Sequence, residues 1–438
     1  MHTDLTKGSI DSHLIKLSLP AIVGYFFHTM FNVTDTYFAG VISTEALAAL
    51  SLSASIFFMI LAIAIGMSEA LTSLVGNALG EKDTAKAQHI TQNSIVFAAL
   101  LSLFLTIFGI LSVPYLVAAL GDPSYIAETL KYINVILYAT FFFIASFYFN
   151  ALLNATGDMV SFRNVLIFTA FLNILLDYIF IHYFGFGVDG IALATVISEF
   201  ITMAYLFYKL NKTKLWCGFE GFTLDLVVIK ELLKQGFPPS MNMFMMAFGM
   251  YIITYFIAPF GKEAVAAFGI GMRIEQLFLM PVVGLGIATL AIVSQNNGAK
   301  EYERINPTTN LAIKYGFFIS AIAIVLFYTF GDFMASLLTD DRVVIEQSVL
   351  YLRICGFAFF GFVMIFIYIS TLQGIKKPSI IFPVSLYRQV IAPLLLFSLF
   401  TFYELKIYTI WLGLDAIILS SALYLWWYSS KKLRGLSS

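Results

Sequence analysis

The chain has 438 residues, 60% of them apolar, 16% aromatic and only 12% charged, with a formal net charge of −1. Soluble domains carry about 25% charged residues, so a water-facing skin cannot be built from this composition, whereas a lipid-facing one can. The near-neutral balance and the absence of a basic stretch interleaved with aromatics exclude a nucleic-acid partner; the two cysteines, Cys217 and Cys355, form no CxxC pair and indicate neither a zinc site nor a disulfide framework.

Asp4, Lys7, Asp11, His13 and Lys16 precede the first apolar run, and no small-residue cleavage site follows it. The first helix is therefore expected to stay in the mature protein. A spanning helix needs about 20 mainly apolar residues. Reading apolar runs against charged and Pro/Gly breaks predicts spans over 14–40, 46–76, 90–119, 125–155, 162–183, 190–210, 228–259, 263–296, 310–330, 342–373, 380–403 and 408–429. With the N-terminus inside, 19 of the 25 Lys and Arg, Arg388 among them, fall on the cytoplasmic side. That imbalance predicts an even number of spans and both termini in the cytoplasm.

A shift of 218 residues brings the two halves into register. Pro20 falls on Pro238, Glu45 on Glu263, Gly66 on Gly284, Gly80 on Gly298, Lys82 on Lys300 and Asp122 on Asp340. Shared Pro, Gly, Glu and Lys at one offset over about 100 residues are not expected by chance. Each half holds six spans, so the repeats are parallel. The predicted fold is an all-α membrane protein of twelve transmembrane helices in two pseudo-symmetric six-helix lobes, 1–220 and 221–438. Repeats with a central site are the common plan of secondary transporters.

Ionisable groups inside a bilayer cost about 2.5–3.5 kcal/mol on insertion scales and usually face a bundle interior. The first span carries Tyr25, His28, Asn32 and Asp35 at steps of 3, 4 and 3, one polar stripe on one helix face. Asn173 and Asp177 lie four apart in the fifth span, and Thr195 and Glu199 four apart in the sixth. Two facing aspartates in a low-dielectric site cannot both ionise easily, and a proton or monovalent cation relieves the repulsion. Asp35 and Asp177 are therefore the candidates for an ion-coupling site. The offset maps His28, Asn32 and Asp35 onto Met246, Met250 and Ile253, so the polar stripe belongs to the first half only. Met246 and Met250, in a methionine-rich stretch, suit an adaptable apolar substrate surface. Glu275 in the eighth span could meet a cationic substrate or pair with an arginine elsewhere.

These residues resemble a known family. Leu19-Pro20 through Asn32-Val33-Thr34-Asp35-Thr36-Tyr37-Phe38-Ala39-Gly40, then Glu45-Ala46-Leu47-Ala48-Ala49, are similar to the first helix and loop of the MATE (multidrug and toxic compound extrusion) family. Leu172 to Asp177 and Val188 to Thr195 resemble its fifth and sixth helices, and Arg273-Ile274-Glu275 its eighth. Within it the chain resembles the DinF-like branch, whose polar centre lies in the N-terminal lobe. The resemblance implies that Asp35, Asn173, Asp177 and Thr195 line a proton or Na⁺ site, joined by Tyr132, with Tyr138 as the alternative. Tyr25, His28, Asn32 and Glu199 would support it. The seventh and tenth spans carry only Glu231 and Glu346, near their ends, which departs from the NorM-like branch.

The expected activity is antiport: small amphipathic or cationic compounds leave in exchange for H⁺ or Na⁺ by alternating access, from a monomer amid lipid in a bacterial inner membrane. No cofactor beyond the coupling ion is expected. A flippase for a lipid-linked precursor is the alternative, with few central arginines to favour it. An integral membrane enzyme would need a nucleophile–base or metal constellation, and His2, His13, His28, His89 and His182 form none, with no catalytic residue indicated.

Overall fold

A computed structural model describes residues 4–219 and 221–437. His2, and Glu220 at the end of the expected N-terminal lobe, lie outside the described residues. Fifteen α-helices follow one another: α1 (Ile10–Ile42), α2 (Thr44–Gly80), α3 (Thr84–Leu120), α4 (Ile126–Tyr138), α5 (Thr140–Ala155), α6 (Val160–His182), α7 (Val188–Leu210), α8 (Leu226–Ile257), α9 (Lys262–Gly298), α10 (Ile305–Ser336), α11 (Arg342–Cys355), α12 (Ala358–Gly374), α13 (Ile381–Leu386), α14 (Ala392–Phe402) and α15 (Ile407–Ser437). Ten stretches are each long and apolar enough to cross a membrane, and two bent pairs, α4–α5 and α11–α12, bring the spans to twelve.

Local chemistry sets the helix starts. The Ser43 hydroxyl accepts the Ala46 N–H to cap α2, the Asp83 carboxylate accepts that of Lys86 to cap α3, and Asp341 accepts those of Val343 and Val344 at α11. Outward faces are apolar. On α3, Leu100, Leu103, Phe104, Ile107, Phe108, Leu111 and Tyr115 recur at helical spacing and are all exposed, as a lipid-facing stripe requires.

Two spans are broken where the apolar runs gave no sign of it. The fourth bends by 49° at Ala139, where the Thr140 hydroxyl donates to the Leu137 carbonyl and competes with the helical ladder. The tenth bends by 55° after Cys355, across Gly356-Phe357. The eleventh contains a π turn, Tyr387–Ile391. Pro393 has no N–H for the Gln389 carbonyl, and the wider turn absorbs the loss. That turn carries Arg388, which is buried.

Two compact units emerge. One is built from Val23–Met243, the other from Leu5–Ile22 with Phe244–Ser438. The division runs inside α1 and α8, just after Pro20 and after Pro238-Pro239, and not at the lobe boundary counted from spans. Each unit thus contains the leading half-helix of the other half of the sequence. The packing repeats accordingly. In the first unit a Cβ on Gly66 would lie 2.1 Å from the Ser240 amide nitrogen. In the second a Cβ on Gly284 would lie 2.5 Å from Ile22 Cγ1. Gly66 and Gly284, and Ile22 and Ser240, are each related by the 218-residue shift. Only glycine lets the helices approach so closely. Lys82 and Lys300, another equivalent pair, both take left-handed φ, 60° and 61°.

Lys214, Gly218 and Asp225, between α7 and α8, are held to the start of α3. The Gln88 amide donates to the Lys214 carbonyl (2.8 Å), and the Gln92 amide to that of Gly218 (2.7 Å). The Asn93 side chain accepts the Asp225 N–H (2.8 Å), and His89 Nε2 meets Asp225 Oδ2 at 3.0 Å. The His89 hydrogen bond holds the half-buried Asp225 carboxyl below its ordinary value of 3.8.

Candidate functional site

The polar stripe of α1 opens into a cavity of about 170 Å³ inside the first unit. Its walls are mostly aromatic: Phe31, Phe57, Phe58, Phe143, Phe147 and Phe162. Its polar lining comes from four helices besides α2: His28, Asn32 and Asp35 on α1, Tyr132 on α4, Ser146 on α5, and Thr195, Glu199 and Thr202 on α7. Among the described residues that line it there are two carboxylates, Asp35 and Glu199, and no lysine or arginine.

At one end stands Asp35, 6% exposed. Its Oδ2 accepts a 2.9 Å hydrogen bond from the Thr195 hydroxyl. From α6 the Asn173 amide and the Asp177 carboxyl, both fully buried, face the same carboxyl. Tyr132, buried beside Thr195, completes the group. Tyr138, the alternative, is 71% exposed at the end of α4.

The group is unsatisfied as it stands. Asp35 Oδ1, both side-chain atoms of Asn173 and both Asp177 oxygens are buried without a hydrogen-bond partner. Buried polar atoms are nearly always bonded, and each orphan costs about 1–3 kcal/mol. Five such atoms lie at one point of the first unit. A proton can bridge two of the oxygens. A sodium ion would find carboxylate, amide and hydroxyl oxygens, the hard ligands it takes. Among the described residues no set of three His, Cys, Asp or Glu could hold a metal, so sodium would depend on Asn173 and Thr195 oxygens.

The supporting residues divide. His28, Asn32 and Glu199 line the cavity. Tyr25 does not; its ring packs edge-on to Phe162 at 5.9 Å, near Glu69. Glu275, Met246 and Met250 belong to the second unit and do not line this cavity. Glu275 is buried and accepts a 2.8 Å hydrogen bond from the Tyr351 hydroxyl, while Arg273, two residues before it, is exposed. Asp415 on α15 is also buried with one oxygen unpartnered. Asp415 has no polar residue three or four positions away on α15, so helical spacing does not single it out.

The MatE family model matches residues 20–179 and again 238–397. Each end of the second stretch lies 218 residues after that of the first, the offset of the internal repeat. The chain is 29% identical to a probable multidrug resistance protein, NorM, of Thermotoga maritima, over 97% of this chain and 93% of that one. It is 24% identical to a protein of Shewanella oneidensis named FAD transporter, over 91% and 90%. Its fold matches a solved MOP superfamily transporter from Pyrococcus furiosus with a TM-score of 0.95 at 23% identity, covering 99% of this chain and 98% of that one.

Proposed function

This chain belongs to the MATE family of integral membrane transporters, and from that premise we propose that it is a multidrug efflux antiporter. It exports amphipathic, mostly cationic compounds in exchange for H⁺ or Na⁺ taken up at Asp35, Asn173, Asp177 and Thr195. The observation that carries the reading is the set of five unpartnered buried polar atoms around two facing aspartates. Such a site favours one added positive charge and disfavours the bare pair. Ion entry adds positive charge at the Asp35 end of the cavity, which disfavours a cationic substrate held elsewhere in the same cavity. Opposition between the two positive charges is the thermodynamic basis of exchange.

The polar centre lies in the N-terminal half, as in the DinF-like branch. Alternating access, with α1 and α8 bending near their prolines, exposes the cavity to each side in turn. The protein works as a monomer in the bacterial inner membrane with both termini in the cytoplasm. The relative from Shewanella oneidensis is named for FAD, which carries an anionic diphosphate. A cavity lined by two carboxylates and no lysine or arginine repels such a cargo.

The test is efflux of ethidium from proteoliposomes under a pH gradient or a Na⁺ gradient imposed separately. Efflux driven by one of them supports the antiporter and names its ion. Absence of gradient-driven efflux of ethidium and of other cationic dyes, with folded protein verified, overturns the reading.

A further inference from the structure

Resting on the transport reading above, we propose that Glu199 is the group that recognises the positive charge of the exported compound. It does so in a part of the cavity separate from the Asp35 site. Thr195 and Glu199 lie four residues apart on α7, one turn and about 6 Å along the same face. Thr195 is occupied by Asp35. Glu199 is one turn further on, with the Ser146 hydroxyl beside it and His28 and Thr202 in the same lining. As first and sixth spans, α1 and α7 run in opposite directions. His28, two turns before Asp35, therefore lies on the same side of the ion site as Glu199. The cavity has two levels: an ion level at Asp35–Thr195, and a second one at His28–Glu199.

The cavity that holds both levels is lined by six phenylalanines and, among the described residues, by no lysine or arginine. A carboxylate held against aromatic walls without a counter-charge is an unfavourable arrangement that a cation corrects. Ring faces attract the same charge. The occupant that fits is an amphipathic monocation, its charge at Glu199 and its apolar body against the rings. Glu199 is not needed to pair Asp35, because Asp177 already faces it.

Tetraphenylphosphonium is the probe, with tetraphenylborate as the ion of like shape and opposite charge. Kd is measured on the purified full chain in detergent, and KM and kcat for gradient-driven efflux in proteoliposomes, for the unaltered protein, Glu199→Gln and Glu199→Asp. The expected result for Glu199→Gln is a rise of about tenfold or more in Kd and KM for tetraphenylphosphonium, with kcat within about twofold. Tetraphenylborate should bind the Gln variant at least as tightly as the unaltered protein. Glu199→Asp should recover part of the affinity. Unchanged Kd and KM overturn the proposal. So does equal weakening of both probes, which marks a structural effect. A collapse of kcat at unchanged Kd also overturns it, because Glu199 would then carry the coupling ion. If the unaltered protein binds the cation but no gradient moves it, the antiport reading fails while the Kd comparison still judges Glu199.

Discussion

At Asp35 one oxygen accepts the Thr195 hydroxyl, while Asn173 and Asp177 face the carboxyl from α6. Replacing Thr195 with valine keeps the shape and removes the hydroxyl, so the site loses both a hydrogen bond and an oxygen ligand. We expect Thr195→Val to raise the ion concentration for half-maximal efflux about tenfold, the equivalent of one charge-assisted hydrogen bond. An unchanged half-maximal concentration would remove Thr195 from the site. Asp35, Asn173, Asp177, Thr195 and Glu199 were legible in the sequence because each polar pair recurs at helical spacing within one apolar span. Asp415 and Tyr351 were not, because their polar neighbours come from other helices and no spacing along one helix connects them. Met246 and Met250 were drawn toward the substrate by composition alone, and composition does not say which unit a helix face belongs to.

Among the helices, the twelve spans were legible from apolar length, while the breaks at Ala139 and Gly356 were not. A continuous apolar run reads alike whether its helix is straight or bent by 49° or 55°; the bends come from side-chain and backbone hydrogen bonding. The glycine contacts carry the next prediction. Gly66→Ala drives a methyl into the Ser240 backbone, and Gly284→Ala meets first the Ile22 side chain. Overpacking of this kind costs about 1–3 kcal/mol. We expect both to lower the Tm of the purified protein, Gly66→Ala by more because backbone yields less than a side chain. Equal Tm values for Gly66→Ala and the unaltered protein would contradict the close approach. The clasp between α3 and the segment before α8 has its own pH signature. The His89 hydrogen bond lowers the Asp225 carboxyl from 3.8. Because the folded value is depressed, the stabilisation is present above the ordinary value and is lost as pH falls below it. Anisotropy of a rhodamine on Cys217, which is exposed in that segment while Cys355 is buried, should stay flat from neutral pH to about 4 and fall below. His89→Ala should lower it at neutral pH. An anisotropy that stays flat below pH 4, or a His89→Ala variant indistinguishable from the unaltered protein at neutral pH, would contradict the clasp.

Across the whole molecule, one duplication accounts for most of what is seen. The 218-residue offset relates the two matched family segments, the left-handed turns at Lys82 and Lys300, and the contacts at Gly66 and Gly284. The register of the halves was legible because Pro, Gly, Glu and Lys recur at one constant offset. The exchange of leading half-helices between units was not, since nothing in the apolar sequence of α1 or α8 says against which half each will pack. Scaffold symmetry also isolates the chemistry. The cavity, the aspartate pair and Glu199 all lie in the first unit, and in the repeat His28, Asn32 and Asp35 fall on the apolar Met246, Met250 and Ile253. The second unit carries its own buried polar group instead, Glu275 bonded to Tyr351, with Asp415 on α15.

The most direct test of ion coupling at Asp35 is gradient-driven ethidium efflux from proteoliposomes carrying Asp35→Asn beside the unaltered protein. The substitution removes the charge and keeps the size. The account predicts that the gradient no longer accelerates efflux by the variant, a loss of about tenfold or more, while ethidium still binds. Full gradient-driven efflux by Asp35→Asn would contradict it.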